Sequence, residues 1–235
     1  MGYFPFYINI EGKRCLVAGG GKVALRKVKD LLPFGPLFRV IAPDILPELC
    51  DLAEAAEAGG RIAIERRKCC AEDAGEADFV IAAVDDEALQ RNLFEYCSQK
   101  GIPINSVDRK EFCSFIFPSL ITEGPVTVGI STGGASPAVA QYLKKRFAEV
   151  LPEGIGALTL ELGQLRDCVR ERIPRSQKLR SQVFHQLAEE GIKLMEQGRR
   201  LTQERSLEII EETVRTIAEG EILEEEKQGM EKDHE

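Results

Sequence analysis

The sequence predicts an α/β protein: a Rossmann-like parallel sheet, then a β-hairpin and a helix, then an all-helical C-terminal domain. Three observations predict it. The apolar run Cys15-Leu16-Val17-Ala18 leads directly into Gly19-Gly20-Gly21-Lys22-Val23-Ala24, a strand-to-helix turn with the spacing G-x-G-x-x-A. Short apolar runs then alternate with helix-patterned stretches to about residue 113, the signature of repeated βαβ units. From Glu153 onward strand signals stop and apolar residues recur only at helical spacing. The expected domains are therefore 1–113, 114–150 and 151–218, with an acidic tail over 219–235.

The glycine turn defines a dinucleotide site. Gly19 permits the tight turn, Gly21 lets backbone approach a pyrophosphate, and the small Ala24 lets helix and strand pack closely. The helix N-terminus then presents free N–H groups and its positive dipole end to the phosphates. A ligand-free turn is the alternative, but the context favours the site. Val23, Leu25, Val28, Leu31 and Leu32 supply a helical apolar face, and a second strand, Leu37–Ala42, follows at βαβ spacing. The acidic residue that would hold the adenine ribose is Asp44, which serves equally well as an N-cap for a helix beginning at Ile45. No arginine sits immediately beside it to receive a 2′-phosphate, so NAD is favoured over NADP.

A helix over Leu46–Ala58, strands at Ile62–Glu65 and Asp78–Ala83, a helix over Asp86–Lys100 and a strand at Ile102–Val107 complete the sheet. Ligands of such sheets lie beyond the carboxyl ends of the strands, so Ala83-Val84-Asp85 and Val107-Asp108 fall at the working edge. Asp85 and Asp86 read better as helix caps. Ser114–Pro118 and Val126–Ile130 read as a hairpin around Thr122–Pro125. Ser131-Thr132-Gly133-Gly134-Ala135-Ser136-Pro137 follows, with Ser136 placed as N-cap and Pro137 as the first helical residue. This loop is either a second anion-binding helix start or a simple capped turn. Val139, Leu143, Phe147 and Leu151 mark one buried helical face. Further on, Leu158, Leu162, Leu165 and Val169 form a stripe, and helices are expected at about 177–197 and 202–218, packed on one another or on a partner chain.

Composition narrows the class. The net charge is −8, but residues 219–235 hold eight acidic residues against two lysines, so the body of the chain carries only −2. Such a balance argues against nucleic acid, while Arg109-Lys110 and Lys144-Lys145-Arg146 remain local basic patches. No apolar stretch approaches the roughly 20 residues of a membrane helix, and the N-terminus lacks the pattern of a secretory signal, so a cytoplasmic protein is expected. Seven cysteines without a C-x-x-C pair suggest neither a disulfide framework nor structural zinc, and most read as small core residues. No metal site is expected, Cys69-Cys70 having poor geometry for one ion. His185, a lone helical histidine, reads as a surface or packing residue rather than a ligand.

Taken together, Phe4-Pro5, Gly19–Lys27, Asn105-Ser106-Val107-Asp108, Ser114–Ser119 and Ser131–Pro137 resemble the precorrin-2 dehydrogenase and sirohydrochlorin ferrochelatase family, which includes the amino-terminal part of siroheme synthase. The resemblance covers about residues 3–172, and the chain looks like the stand-alone form, with no methyltransferase domain. It implies oxidation of precorrin-2 to sirohydrochlorin with NAD as acceptor, a homodimer with 114–150 as the dimerisation segment, and Fe²⁺ insertion as an optional second reaction. It carries Lys22, Val23, Pro43 and Asp44 onto the cofactor site, beside Gly19 and Gly21 of the glycine turn and Val84 at the working edge. Ser131, Thr132, Gly133, Gly134 and Ser136 fall on the tetrapyrrole site, with Arg109, Lys110, Lys144 and Lys145 as nearby cations for its carboxylates. Asp108 matches the essential aspartate, a general base for the macrocycle and, in chelation, for the pyrrole N–H protons. In the fused enzymes a serine of this loop is phosphorylated; Thr132 stands at the matching position beside Ser131, and keeps a hydroxyl. The reading from another class is an NAD(H)-binding regulatory module without turnover, which would need neither Asp108 nor the Ser131–Pro137 loop.

Overall fold

Strand β1 (Arg14–Ala18) is buried on both faces, as its unbroken apolar run requires: Cys15 and Val17 enter one layer of core, Leu16 and Ala18 the other. The structure, a computed structural model, describes residues 3–55 and 58–216; the expected acidic tail lies outside the described residues. β1 is the centre of a five-stranded, wholly parallel sheet ordered β3 (Ile62–Glu65), β2 (Leu37–Ile41), β1, β4 (Phe79–Ala82), β5 (Ile104–Ser106). Helices α1 (Lys22–Leu31) and α2 (Pro47–Glu54) bury Val28 and Leu49 in one layer. Helix α3 (Glu87–Lys100) buries Leu93 and Cys97 in the other. The chain moves outward from β1 in one direction to β3 and in the other to β5, which leaves a crevice at the carboxyl ends of β1 and β4.

The chain forms two compact units. The first runs to Phe117 and takes in Thr132–Ser136; the second holds Pro118–Ser131 and the chain from Pro137 onward. In the second, β6 (Ser119–Glu123) and β7 (Val126–Ile130) pair antiparallel around Gly124-Pro125, Gly124 having a left-handed φ of 56°. Helices α4 (Pro137–Val150), α5 (Ile155–Arg172), α6 (Gln177–Glu196) and α7 (203–216) follow. The predicted stripe on α5 holds: Leu158 and Val169 are buried in a third cluster with Val183, Leu187 and Ile210, and Leu162 and Leu165 pack against it. Glu123 ends β6 with its carboxylate accepting from the N–H groups of Gly154 (3.2 Å) and Gly156 (2.9 Å), so the hairpin caps the start of α5. Gly156 is required there, because a Cβ would lie 2.3 Å from the Glu123 carbonyl oxygen.

Four expectations change. Helix α2 starts at Pro47, with Leu46 as its N-cap, so Asp44 does not cap it; Pro47 sets the start because it has no N–H to leave unpaired. The same helix ends at Glu54, short of Ala58, because Ala55 turns extended (ψ 143°). The first hairpin strand lies at Ser119–Glu123 rather than 114–118, since Phe115 and Phe117 are taken up against the first core layer. The face of α4 expected to be buried is covered only in part: Leu143 and Leu151 are half-buried, Val139 and Phe147 are each 48% exposed, and the buried residue of α4 is Ala140. Among the cysteines, Cys15 and Cys97 are core residues, four are half-buried and Cys70 is exposed; all seven are free thiols.

Candidate active site

The turn after β1 is shaped by what its glycines lack. Gly19 has φ 117°, and a Cβ on it would sit 2.1 Å from the Ala83 carbonyl oxygen; one on Gly20 would sit 2.4 Å from the Asp44 carbonyl oxygen. Backbone hydrogen bonds hold the turn in place, from Gly19 N to Ile41 O (2.9 Å) and from Leu46 N to Gly20 O (2.9 Å). Gly21 differs: a Cβ there would meet nothing within 4 Å, and its φ of −85° suits any residue. It is the N-cap of α1, and no side chain caps the helix and no acidic residue occupies its first turn. The N-terminal N–H groups of α1 therefore face an open cradle with a positive dipole end, which fits a pyrophosphate. Ala24 is fully buried, as close packing of α1 on the sheet requires.

Around this cradle stand the other expected cofactor residues. Lys22 opens α1 and is exposed, and Val23 beside it is half-buried. Pro43 and Asp44 are exposed just past β2, Asp44 with its backbone against Gly20. Val84 follows β4 and is half-buried, its Cγ1 3.4 Å from a Cβ built on Gly19. The side-chain amide of Gln90, a residue only 4% exposed, donates to the Val84 carbonyl and fixes that loop from α3. Asp86 is the N-cap of α3, accepting from Leu89 N at 3.1 Å.

The second group of residues gathers after β5. Asp108 is exposed and has φ 62°, the one non-glycine residue with positive φ among the described residues. An aspartate tolerates this region better than most, yet it costs about 1 kcal/mol and is held only where the surroundings demand it. Arg109 is committed to Glu87 on the first turn of α3 (2.6 Å), with Glu111 at 3.6 Å, so it ties the Asp108 turn to α3 rather than standing ready for an anion. Lys110 donates from Nζ to the Gly133 carbonyl (2.9 Å), and its ammonium lies 3.3 Å from a Cβ built on Gly134. That contact joins the Asp108 turn to the Thr132–Ser136 loop within one unit. The loop closes on itself through Thr132, whose hydroxyl donates to Ser136 O (3.0 Å) and accepts from Ser136 N (3.2 Å). Gly133 and Gly134 both have left-handed φ, 62° and 79°. Ser131 belongs, with Lys144 and Lys145, to the second unit.

Sequence reasoning missed what Gln90, Cys113 and Lys27 do here. Lys27, one turn into α1, holds its ammonium 3.7 Å from the Phe117 ring centroid. Burial, reinforced by Arg26 and opposed by Asp30, pushes it down to about 8. Cys113 was legible only as a small packing residue. His185 is exposed and 3.3 Å from Glu189, on the surface rather than in packing. Among the described residues no group of three or more His, Cys, Asp or Glu side chains is placed to hold a metal ion, and no helix is long and apolar enough to cross a membrane.

Fold and cradle define the first unit as a dinucleotide-binding domain of the Rossmann type. Residues 6–119 match the family described as "Putative NAD(P)-binding". The chain is 39% identical over 216 residues to the siroheme synthase of Thioalkalivibrio sulfidiphilus, a match covering 88% of this chain and 42% of that protein. It is 37% identical over 172 residues to the siroheme synthase of Nitrosospira multiformis, covering 73% of this chain and 36% of that protein. It thus spans about two-fifths of the length of these curated relatives. Among solved structures, one named SirC, precorrin-2 dehydrogenase, superposes with a TM-score of 0.66 over 91% of this chain and 100% of its own; at 22% identity this is a likeness of fold. The first unit thus carries the NAD(P)-binding family's signature, and most of the chain is similar to a portion of the siroheme synthases.

Proposed function

We propose that this chain oxidises precorrin-2 to sirohydrochlorin, with NAD as the cofactor. The observation that carries the reading is the Asp108 turn: an exposed carboxylate held in the left-handed region at a strand end of the dinucleotide sheet, and joined through Lys110 to the Thr132–Ser136 loop. A module that only senses a dinucleotide has no use for such a carboxylate or for the loop beside it.

The residues divide the work. The N–H groups at the start of α1 and the space left by Gly21 hold the pyrophosphate, Asp44 takes the adenine ribose hydroxyls, and Val84, Pro43, Lys22 and Val23 line the remainder. When bound, NAD supplies the two-electron acceptor. The substrate is a carboxylate-rich macrocycle, and the loop formed by Thr132, Gly133, Gly134 and Ser136, with the ammonium of Lys110, holds its carboxylates. Two hydrogens leave the macrocycle, one with its electron pair and one as a proton, and Asp108 takes the proton. Fe²⁺ belongs to the same reading as a second substrate, with Asp108 receiving pyrrole N–H protons as the metal enters. A homodimer through 114–150 is supported by apolar exposure on α4, where Tyr142 is 63% and Val150 70% exposed beside Val139 and Phe147. Seven free thiols suit a reducing compartment such as the cytoplasm.

Anaerobic conversion of enzymatically made precorrin-2, followed by absorbance with and without NAD, tests the reading. Wild type is expected to produce sirohydrochlorin only with NAD, and D108A to lose about 100-fold or more of the rate while still binding NAD. NAD binding without conversion by wild type would leave the regulatory module as the better account. Adding Fe²⁺ to the completed reaction then reports the chelation step.

A further inference from the structure

One sulfur atom ties together the turn that displays Asp108. The chain leaves β5 at Ser106 and returns beside it: Ser114 N donates to Ile104 O (2.8 Å), Ile104 N to Ser114 Oγ (2.8 Å), and Asn105 Nδ2 to Phe115 O (2.9 Å). Inside this closed turn Cys113 Sγ accepts from Ser106 N at 3.2 Å, with Asn105 Nδ2 at 3.6 Å. The same sulfur lies 3.1 Å from Ser106 O and 3.3 Å from Arg109 O. A thiol has a single proton to give, so those two carbonyl oxygens, one before Asp108 and one after it, share it. Burial pushes the Cys113 thiol up, with Glu111 adding to the effect and the Ser106 N–H opposing it, which keeps the group a donor. A thiolate would instead face two carbonyl oxygens at close range.

The other contacts hold the flanks of the turn, among them Lys110 Nζ to Gly133 O (2.9 Å) and Phe112 N to Arg109 O (3.1 Å). Lys110–Phe112 is one turn of 3-10 helix, Arg109 reaches outward to Glu87, and Val107 N bonds back to Ala82 O (2.9 Å). None of these spans Val107 to Arg109, where the left-handed residue sits.

We propose that Cys113 is a positioning residue, whose thiol fixes the Asp108 turn by hydrogen bonding to both of its ends and acts on the reaction only through Asp108. This rests on the reading of Asp108 as the proton acceptor. An apolar replacement leaves Ser106 N–H, Ser106 O and Arg109 O without their shared partner; serine restores a donor and acceptor with a shorter reach.

The experiment is a double-mutant cycle on the full chain, comparing wild type, C113A, C113S, D108A and D108A/C113A for kcat and KM with precorrin-2 and for NAD affinity. In the wild-type background C113A is expected to lower kcat about tenfold with NAD affinity unchanged, and C113S to lower it only about threefold. In the D108A background C113A is expected to cost nothing further. Equal losses in both backgrounds, or a C113S no better than C113A, overturn the proposal and leave the reading of Asp108 intact. Wild-type kcat in D108A overturns that reading, and this proposal with it. Should C113A fail to fold, C113S carries the same cycle, with a loss of about threefold expected when Asp108 is present and none in the D108A background.

Discussion

The turn after β1 and the turn after β5 leave the same edge of one sheet, and both use a left-handed residue to do so, yet they are built on opposite principles. The first is defined by missing side chains: at Gly19 and Gly20 neighbouring backbone occupies the space where a Cβ would be. The second is defined by side chains that are present: Asn105, Cys113 and Ser114 hold a non-glycine residue at φ 62°. A turn made by exclusion tolerates no side chain at its excluded positions but stands without a side-chain network. A turn made by a network tolerates substitution at its tip, and loses its shape when a distant member goes. The first suits a phosphate group that backbone must approach closely; the second suits a carboxylate that must be held out at a fixed angle.

The largest expected effect separates two glycines of the first turn. Gly19→Ala places a Cβ 2.1 Å from the Ala83 carbonyl oxygen at φ 117° and is expected to cost on the order of 4 kcal/mol of stability. The Cβ of Gly21→Asp meets nothing within 4 Å, so its thermal midpoint should stay within about 2 °C of wild type while NAD affinity falls roughly 100-fold or more, the charge standing where the pyrophosphate would lie. Denaturation curves and cofactor titration on the two proteins decide the matter; a Gly21→Asp that binds NAD normally removes the cradle from the site. Next in size is Asp108→Gly. Relief of the left-handed conformation is expected to raise stability by about 1 kcal/mol while abolishing turnover, a gain and a loss together that mark strain kept for function. A destabilised Asp108→Gly would show that the aspartate is there for the fold.

The smallest effect joins the two turns. Lys27 on α1 lies over Phe117, four residues beyond Cys113, and is pushed down to about 8. Because the folded value lies below the ordinary 10.5, the unfolded chain binds more protons between those pH values, and stability rises with pH across that window. Below about pH 8 the charged lysine carries its full burial cost. Relative to Lys27→Met, wild type is therefore expected to gain roughly 1–2 °C in thermal midpoint between pH 8 and pH 10. A flat difference would mean that the ammonium stays solvated.

Much of this was legible beforehand, and the misses share a cause. The glycine spacing and the buried run around Val17 and Val40 announce the sheet, because parallel strands covered on both faces leave an unmistakable apolar record. Ser114-Phe115-Ile116-Phe117 alternates like a strand, and Phe115 and Phe117 do pack against the core layer as alternation demands. Pairing beside β5 nevertheless stops at Phe115, and Pro118 closes the segment, so no ladder forms. Periodicity reports which side wants cover without reporting what supplies it, hence the misreading of Val139 and Phe147. The left-handed backbone of Asp108 and the role of Cys113 left no local trace, since neither depends on residues next to it in sequence.

The five residues Thr132–Ser136 belong to the unit that the chain has otherwise finished at Phe117. During synthesis the sheet can be complete, with its dinucleotide cradle formed, while the loop partnered by Lys110 is still inside the ribosome. At about 5–20 residues per second the interval is on the order of one to several seconds. For that time the nascent protein holds the dinucleotide cradle without the loop that Lys110 partners, so the cradle forms before the first unit is whole.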